Sequence, residues 1–176
     1  VTVFDNSARS RRLRDEFGVL PPSDIGRCLL SLSPKEDEIR KFLFDNSSKD
    51  TYSGMHILLS GGEQIFKSFN LAIEASRGIL SVAENHHVLP ITQDRGVQLH
   101  AIMESGKEAV DEPGVDEMMI SGEVVKSLHL VPPAKANMKV LNALHEADVI
   151  CVGPGSLYTS VLPNFLVGRN MREALR

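Results

Sequence analysis

The stretch Ala147–Ser160, A-D-V-I-C-V-G-P-G-S-L-Y-T-S, constrains the fold of this 176-residue chain more than any other. Val149–Val152 is a short, β-branched apolar run of the kind shown by a strand buried on both faces. It runs directly into Gly153-Pro154-Gly155-Ser156. Glycines allow tight turns and close backbone approach, and Ser156 is a good N-cap for a helix starting at Leu157. A strand, a glycine loop and a helix N-terminus together present free backbone N–H groups and a positive dipole end to an anion such as phosphate. Gly153, Gly155, Ser156 and Ser160 are therefore candidate anion-binding positions, with Thr159 a further hydroxyl nearby. The spacing is not that of a P-loop, and no lysine follows the glycines. An ordinary strand-to-helix turn would use the same residues.

The rest of the chain limits the function classes. A net charge of −4 argues against a general nucleic-acid binder. No apolar run approaches a membrane span, and no signal peptide opens the chain. The two cysteines, Cys28 and Cys151, lie far apart in apolar segments. That pattern suits buried free thiols in a reducing cytoplasm. Neither a nucleic acid nor a membrane is thus expected as a partner, and the sequence leaves the oligomeric state, a homo-oligomer included, open. Val1–Phe4 reads as a strand already under way, so residues are expected before it.

Taken in order, Val1–Phe4 ends in the polar turn Asp5-Asn6-Ser7-Ala8. In open α/β sheets, ligands collect at the carboxyl edge of the strands, which places Asp5 where a carboxylate could hold a metal or a ligand hydroxyl. Such residues also simply shape turns, and position leaves both readings open. Arg9, Arg11, Arg12 and Arg14 follow. Guanidinium suits phosphate oxygens, although a charge run is more often a solvated face. Leu20-Pro21-Pro22-Ser23-Asp24 breaks the chain before a helix over Ile25–Leu32, capped by Ser23 or Asp24. Capping alone accounts for Asp24. A second helix after Ser33-Pro34 would bury Ile39, Phe42 and Leu43, and Asp45–Ser53 is loop-like. Ile57–Leu59 is a short apolar piece interrupted at Gly61-Gly62, and Glu63–Leu80 has a helical period broken near Gly78.

Adjacent histidines such as His86 and His87 point in different directions and make a poor chelating pair. Val97–Met103 reads as a strand. Glu104–Glu117, with six carboxylates against Lys107, suits an exposed hairpin loop. Val124–Val131 continues the β region up to Pro132-Pro133. Ala134–Glu146 forms a helix with Met138, Leu141, Leu144 and His145 near its buried side. A helix, a buried strand, a glycine loop and a further helix make βαβ-type grammar.

The opening V-T-V-F-D-N-S-A-R-S-R-R-L-R, L-P-P-S-D-I at Leu20–Ile25, V-L-P-I-T at Val88–Thr92, S-G-E at Ser121–Glu123 and the block from Ala147 through L-P-N-F-L-V resemble, in order and spacing, the CofD-like family, also grouped as UPF0052. G-P-G-S-L-Y-T-S followed by L-P-N is more similar to its bacterial gluconeogenesis-factor branch than to its phospholactate transferase branch. The resemblance implies one Rossmann-like α/β domain over residues 1–176, incomplete at both ends. Its mostly parallel sheet would be flanked by helices and carry a small β-hairpin region. Val1–Phe4 and Val149–Val152 would then be near-neighbouring strands ending on one edge.

The gluconeogenesis-factor branch implies a cytoplasmic regulatory protein that binds a nucleotide diphosphate of the UDP-sugar type and is linked to central carbon metabolism and cell shape. Gly153, Gly155, Ser156 and Ser160 would receive the diphosphate, and Arg12 would offset phosphate charge. The transferase branch implies transfer of a phospholactyl group from a guanosine diphosphate derivative to an acceptor alcohol. There Asp5 and Asp24 would hold Mg2+ or orient the acceptor, and Asn6 in place of a second acid weighs against that enzyme. Three departures bear on the site. The glycines of the family's D-D-G-G-S-S-G-R-L-R loop are gone from Asp5–Arg11, Ser23 replaces the glycine of P-P-G-D-I, and only Gly54-Met55-His56 remains of a G-H-S-x-G-N block. Each brings Cβ atoms or charge where backbone would approach a ligand. A scaffold that keeps the sheet and binds nothing tightly is the third reading.

Overall fold

An arginine run punctuated by one leucine carries no apolar stripe, yet it is helical. The computed structural model describes residues 1–4, 8–45 and 52–175. In it the run forms α1 (Ala8–Phe17), which buries Ser10 and Leu13 and exposes Arg11 and Arg12. Asp5, Asn6 and Ser7 lie outside the described residues, as does most of the expected Asp45–Ser53 loop. The chain divides into two compact units, one of Val1 and residues 8–90, the other of residues 2–7 and 91–176.

The first unit is helical. Pro21-Pro22 sets the start of α2 (Ser23–Ser31), but neither Ser23 nor Asp24 caps it. Pro22 stands at the N-cap position and no side chain accepts there. The Ser23 hydroxyl is engaged elsewhere, and Asp24 lies in the first turn, where the helix dipole favours a carboxylate. The helix after Pro34, α3 (Glu36–Arg40), is one short segment that continues as a π-helical turn over Lys41–Asp45. It buries none of its residues, and Phe42 is 79% exposed, contrary to the expected buried face. Five residues are too few to present a stripe.

The glycine pair does not interrupt its segment. The helix α4 (Gly54–Phe66) runs through Gly61 and Gly62, and α5 (Phe69–Ile79) packs against it. The physical reason is close approach. A Cβ at Gly62 would stand 3.1 Å from the Ala72 Cβ, whereas one at Gly61 would meet nothing within 4 Å. Gly26 plays the same part between α2 and α4, with Met55 Cγ 2.5 Å from its would-be Cβ. The break falls instead at Lys67, which adopts φ 55°, and at Ser68, whose hydroxyl accepts from the Leu71 amide. Ile25, Leu29, Met55, Leu59, Phe69 and Ile73 are among the buried residues these helices contribute.

The second unit is built on β1 (Gln98–Met103), β2 (Glu108–Val110) and β3 (Val125–Val131), an antiparallel sheet in the order β2-β1-β3. The expected exposed loop over Glu104–Glu117 shrinks to a turn around Gly106 (φ 85°). The rest is β2 and the helix α6 (Asp111–Ile120). Its acids Asp111 and Glu112 fall in the first helical turn, where the dipole favours them. Ala101, Met103, Ala109 and Val115 form the core between sheet and helix. The helix α7 (Met138–Glu146) begins later than expected, where Asn137 accepts from the Lys139 amide, and Met138 is exposed. The short α8 (Asn170–Ala174) packs against it.

The molecule is therefore α/β, but every strand pair among the described residues is antiparallel. Residues 1–4 and 149–152 take part in no ladder, so they are not the adjoining parallel strands expected of them. A run of this kind pairs only where another strand supplies its N–H and C=O partners. Cys151, expected to be buried, is exposed along with this run, and Cys28 is half-buried. No helix among the described residues is long and apolar enough to cross a membrane.

Candidate functional site

The glycine loop of the second unit lies open to solvent from Val149 to Leu157. Ser156 occupies the N-cap position (φ −58°, ψ 123°) of a π-helical turn over Leu157–Val161, so the helical start is where the sequence places it. Its hydroxyl, however, makes no capping bond. The Ser156 carbonyl accepts from the amides of Ser160 (2.9 Å) and Val161 (3.0 Å), which draws the turn tight. The first amides of such a turn have no intrahelical acceptor. Gly155 sits against Ser160, its would-be Cβ 3.3 Å from the Ser160 Cβ, while nothing approaches Gly153 within 4 Å. Gly155, Ser156 and Ser160 are thus brought together, and Gly153 forms the free lip of the loop.

Two side chains brace the turn from behind. Thr159 is buried, and its hydroxyl donates to Glu112 of α6 at 3.2 Å. Asn164, in the 3-10 helix Leu162–Phe165, donates through Nδ2 to the Ser160 carbonyl at 2.7 Å. That 3-10 helix also supplies Phe165 to an open pocket of about 490 Å³ that carries Arg169 and Arg172.

The remaining candidates belong to the first unit. Asp24 is paired with Arg27 at 3.3 Å. Arg12 is exposed and lies beside Tyr52. Partial desolvation and the Glu16 carboxylate raise the Tyr52 phenol, with Arg12 opposing. Arg14 pairs with Asp15 at 3.0 Å. Asp5 lies outside the described residues. His86 and His87 are exposed beside a turn, as expected.

The sequence reading missed a buried polar chain. Ser10 and Ser23 hydroxyls meet at 2.7 Å, Ser23 Oγ lies 3.2 Å from His56 Nε2, and Ser53 Oγ bonds His56 Nδ1. All four residues are buried. Ser53 also accepts from the His56 amide at the start of α4. The legible signal was the capping spacing of Ser53 and His56; no sequence pattern links them to Ser10 or Ser23. Hydroxyl, imidazole and hydroxyl in line could relay a proton, but burial keeps any substrate from the chain. Its role is to join α1, α2 and α4.

Comparison with known proteins follows these features. The family described as 2-phospho-L-lactate transferase CofD matches residues 1–176. The chain belongs to this family. It is 34% identical over 172 residues to a putative gluconeogenesis factor of Clostridium acetobutylicum, covering 95% of this chain and 38% of that protein. It is 33% identical over 181 residues to the gluconeogenesis factor of Bacillus subtilis, covering 100% and 55%. A crystal structure of a UPF0052 family member from Bacillus halodurans superimposes with TM-score 0.84 at 36% identity, over 99% of this chain and 55% of that one. This CofD-family chain thus spans about half the length, or less, of the relatives it matches.

Proposed function

We propose that this CofD-family chain contributes the diphosphate-binding loop of a regulatory protein of the gluconeogenesis-factor type, with a nucleotide diphosphate of the UDP-sugar class as ligand. The observation that carries the reading is the open Gly153–Ser156 loop, which leads into a helical turn whose first amides meet no capping side chain. Gly153, Gly155 and Ser156 would offer amides to the phosphates, and Ser160 a hydroxyl. Arg12 belongs to the first unit and is proposed as a phosphate-binding cation in its own right. The names of the relatives support a link to central carbon metabolism, and a role in cell shape is proposed with it.

The transferase reading draws on the family's description. Magnesium needs oxygen ligands, chiefly carboxylates and water. Among the described residues, Asp24 faces a guanidinium and belongs to no cluster of potential metal ligands. Asp24 alone therefore does not make a magnesium centre, and Asp5, the other proposed ligand, lies outside the described residues.

A thermal-shift panel of UDP-sugars, GDP and GMP, each with and without Mg2+, tests the proposal. A ligand at about one hundred times its Kd stabilises by about 2.7 kcal/mol. Stabilisation by uridine diphosphate ligands is expected. Guanosine ligands acting only with Mg2+ would favour the transferase reading, and a flat panel would leave a non-binding scaffold.

A further inference from the structure

The outer face of the antiparallel sheet carries a second candidate site. Antiparallel register sets His100 of β1 directly opposite His129 of β3. On the other side, β2 sets Glu108 opposite Ile102, one pleat along the same face from His100. Leu99, Ala101 and Met103 point to the core, so these three side chains share the opposite face.

Register brings their donor atoms together. One donor atom from each of His100, Glu108 and His129 lies within 4.8 Å of the other two. His100 Nδ1 is 2.7 Å from Glu108 Oε1, and the two imidazole rings lie 5.5 Å apart, tilted by 37°. His100 Nε2 is buried and has no hydrogen-bond partner. An ordinary His–Glu surface pair needs no second imidazole. Here two imidazoles face each other across a ladder with a carboxylate at bonding distance.

We propose that His100, Glu108 and His129 bind a divalent cation of the zinc class. Two imidazoles and one carboxylate are a donor set used by Zn2+ and its first-row neighbours, whereas Mg2+ and Ca2+ prefer oxygen alone. Donors about 2.1 Å from a tetrahedral ion stand about 3.4 Å apart, so small side-chain rotations close the cluster. The cation takes the place of the hydrogen bond between His100 and Glu108. Three protein ligands leave one position open, and the exposed Glu108 places that position at the surface.

The test uses the untagged chain, freed of metal by chelation and titrated with Co2+. One equivalent with visible d–d bands characteristic of tetrahedral cobalt, displaced by Zn2+, is expected. His129→Asn and Glu108→Gln should each weaken Co2+ binding by about tenfold to one hundredfold, and His86→Asn should leave it unchanged. Denaturation curves on the same samples establish that each variant is folded. Absence of saturable one-equivalent binding by the parent overturns the proposal. So does parental affinity in a folded His129→Asn, Glu108→Gln double variant, or an equal loss in His86→Asn. None of these readouts involves a nucleotide, so the result is independent of the proposed diphosphate loop.

Discussion

Val97–Met103 and Val149–Val152 are two apolar, strand-like runs in one compact unit, and they have opposite fates. The first sits between two partners, with Leu99, Ala101 and Met103 buried and the alternate side chains turned outward. The second has no ladder partner, and Val149 and Val152 are 77% and 65% exposed. Both runs carry the apolar residues a strand needs, so apolar content alone does not separate them. What differs is the neighbour: β-propensity describes how well a side chain fits a pleated, half-covered surface, and it yields a strand only where that surface exists.

The sharpest way to break this contrast is to place a carboxylate in each run. Ala101→Asp would bury a charge without a partner, since Ala101 is fully buried between sheet and helix. It should cost about 4 kcal/mol or more, enough to unfold the second unit, as read by chemical denaturation. Val149→Asp should change the same midpoint by about 0.5 kcal/mol or less. Similar losses would mean that residues 149–152 are packed after all.

The thiols probe the same contrast more gently. At pH 8, Cys151 should react with a disulfide reagent at least about tenfold faster than Cys28, a difference of about 1.4 kcal/mol. Burial pushes the Cys28 thiol up, so it holds less thiolate at that pH. The stability Cys28 contributes is present below the ordinary thiol value and is lost as pH rises through its raised value.

Within the loop that follows the exposed run, glycine should matter at one position only. Gly155→Ala presses on Ser160 and should cost about 1 kcal/mol in denaturation, while Gly153→Ala should be within about 0.5 kcal/mol of the parent. If the loop holds a diphosphate, Gly155→Val should abolish UDP-sugar binding in the thermal-shift assay, and Ser156→Ala should do less. The smallest effect belongs to the turn that closes β1 onto β2. Lys107 lies 2.8 Å from Glu123 and is the largest influence lowering its carboxyl. That contribution is present above the ordinary carboxylate range and fades as pH falls through the lowered value. Lys107→Ala should therefore reduce stability slightly at pH 7 and leave it unchanged once the pH lies well below the lowered Glu123 value.

Much of this architecture was legible because its cues are local. Val97–Met103 and Val124–Val131 read as strands, Pro34 marked the entry to α3, and Ser156 marked the start of the turn at Leu157. Two of the failures share one cause, a partner distant in sequence. The pair Gly61-Gly62 reads as a break until Ala72 is seen beside it. Ser23 reads as a cap until Ser10 and His56 claim its hydroxyl. The acidic stretch after Met103 reads as a loop because six carboxylates hide the small apolar pattern of Ala109 and Val115. Of the candidate site, the loop's composition and its turn were readable. The three side chains on the outer face of the sheet were not, since cross-strand register alone makes them neighbours.

The buried chain from Ser10 through Ser23 and His56 to Ser53 has a consequence for how three helices are registered. Apolar contacts between α1, α2 and α4 tolerate sliding, since one methyl group serves nearly as well as another. Hydrogen bonds do not. A shift of α2 by one residue would carry Ser23 away and strand the buried His56 Nε2, at a cost of about 1–3 kcal/mol. The four polar groups thus work as a key that admits one alignment of the helices, and oily packing alone would leave several nearly equal.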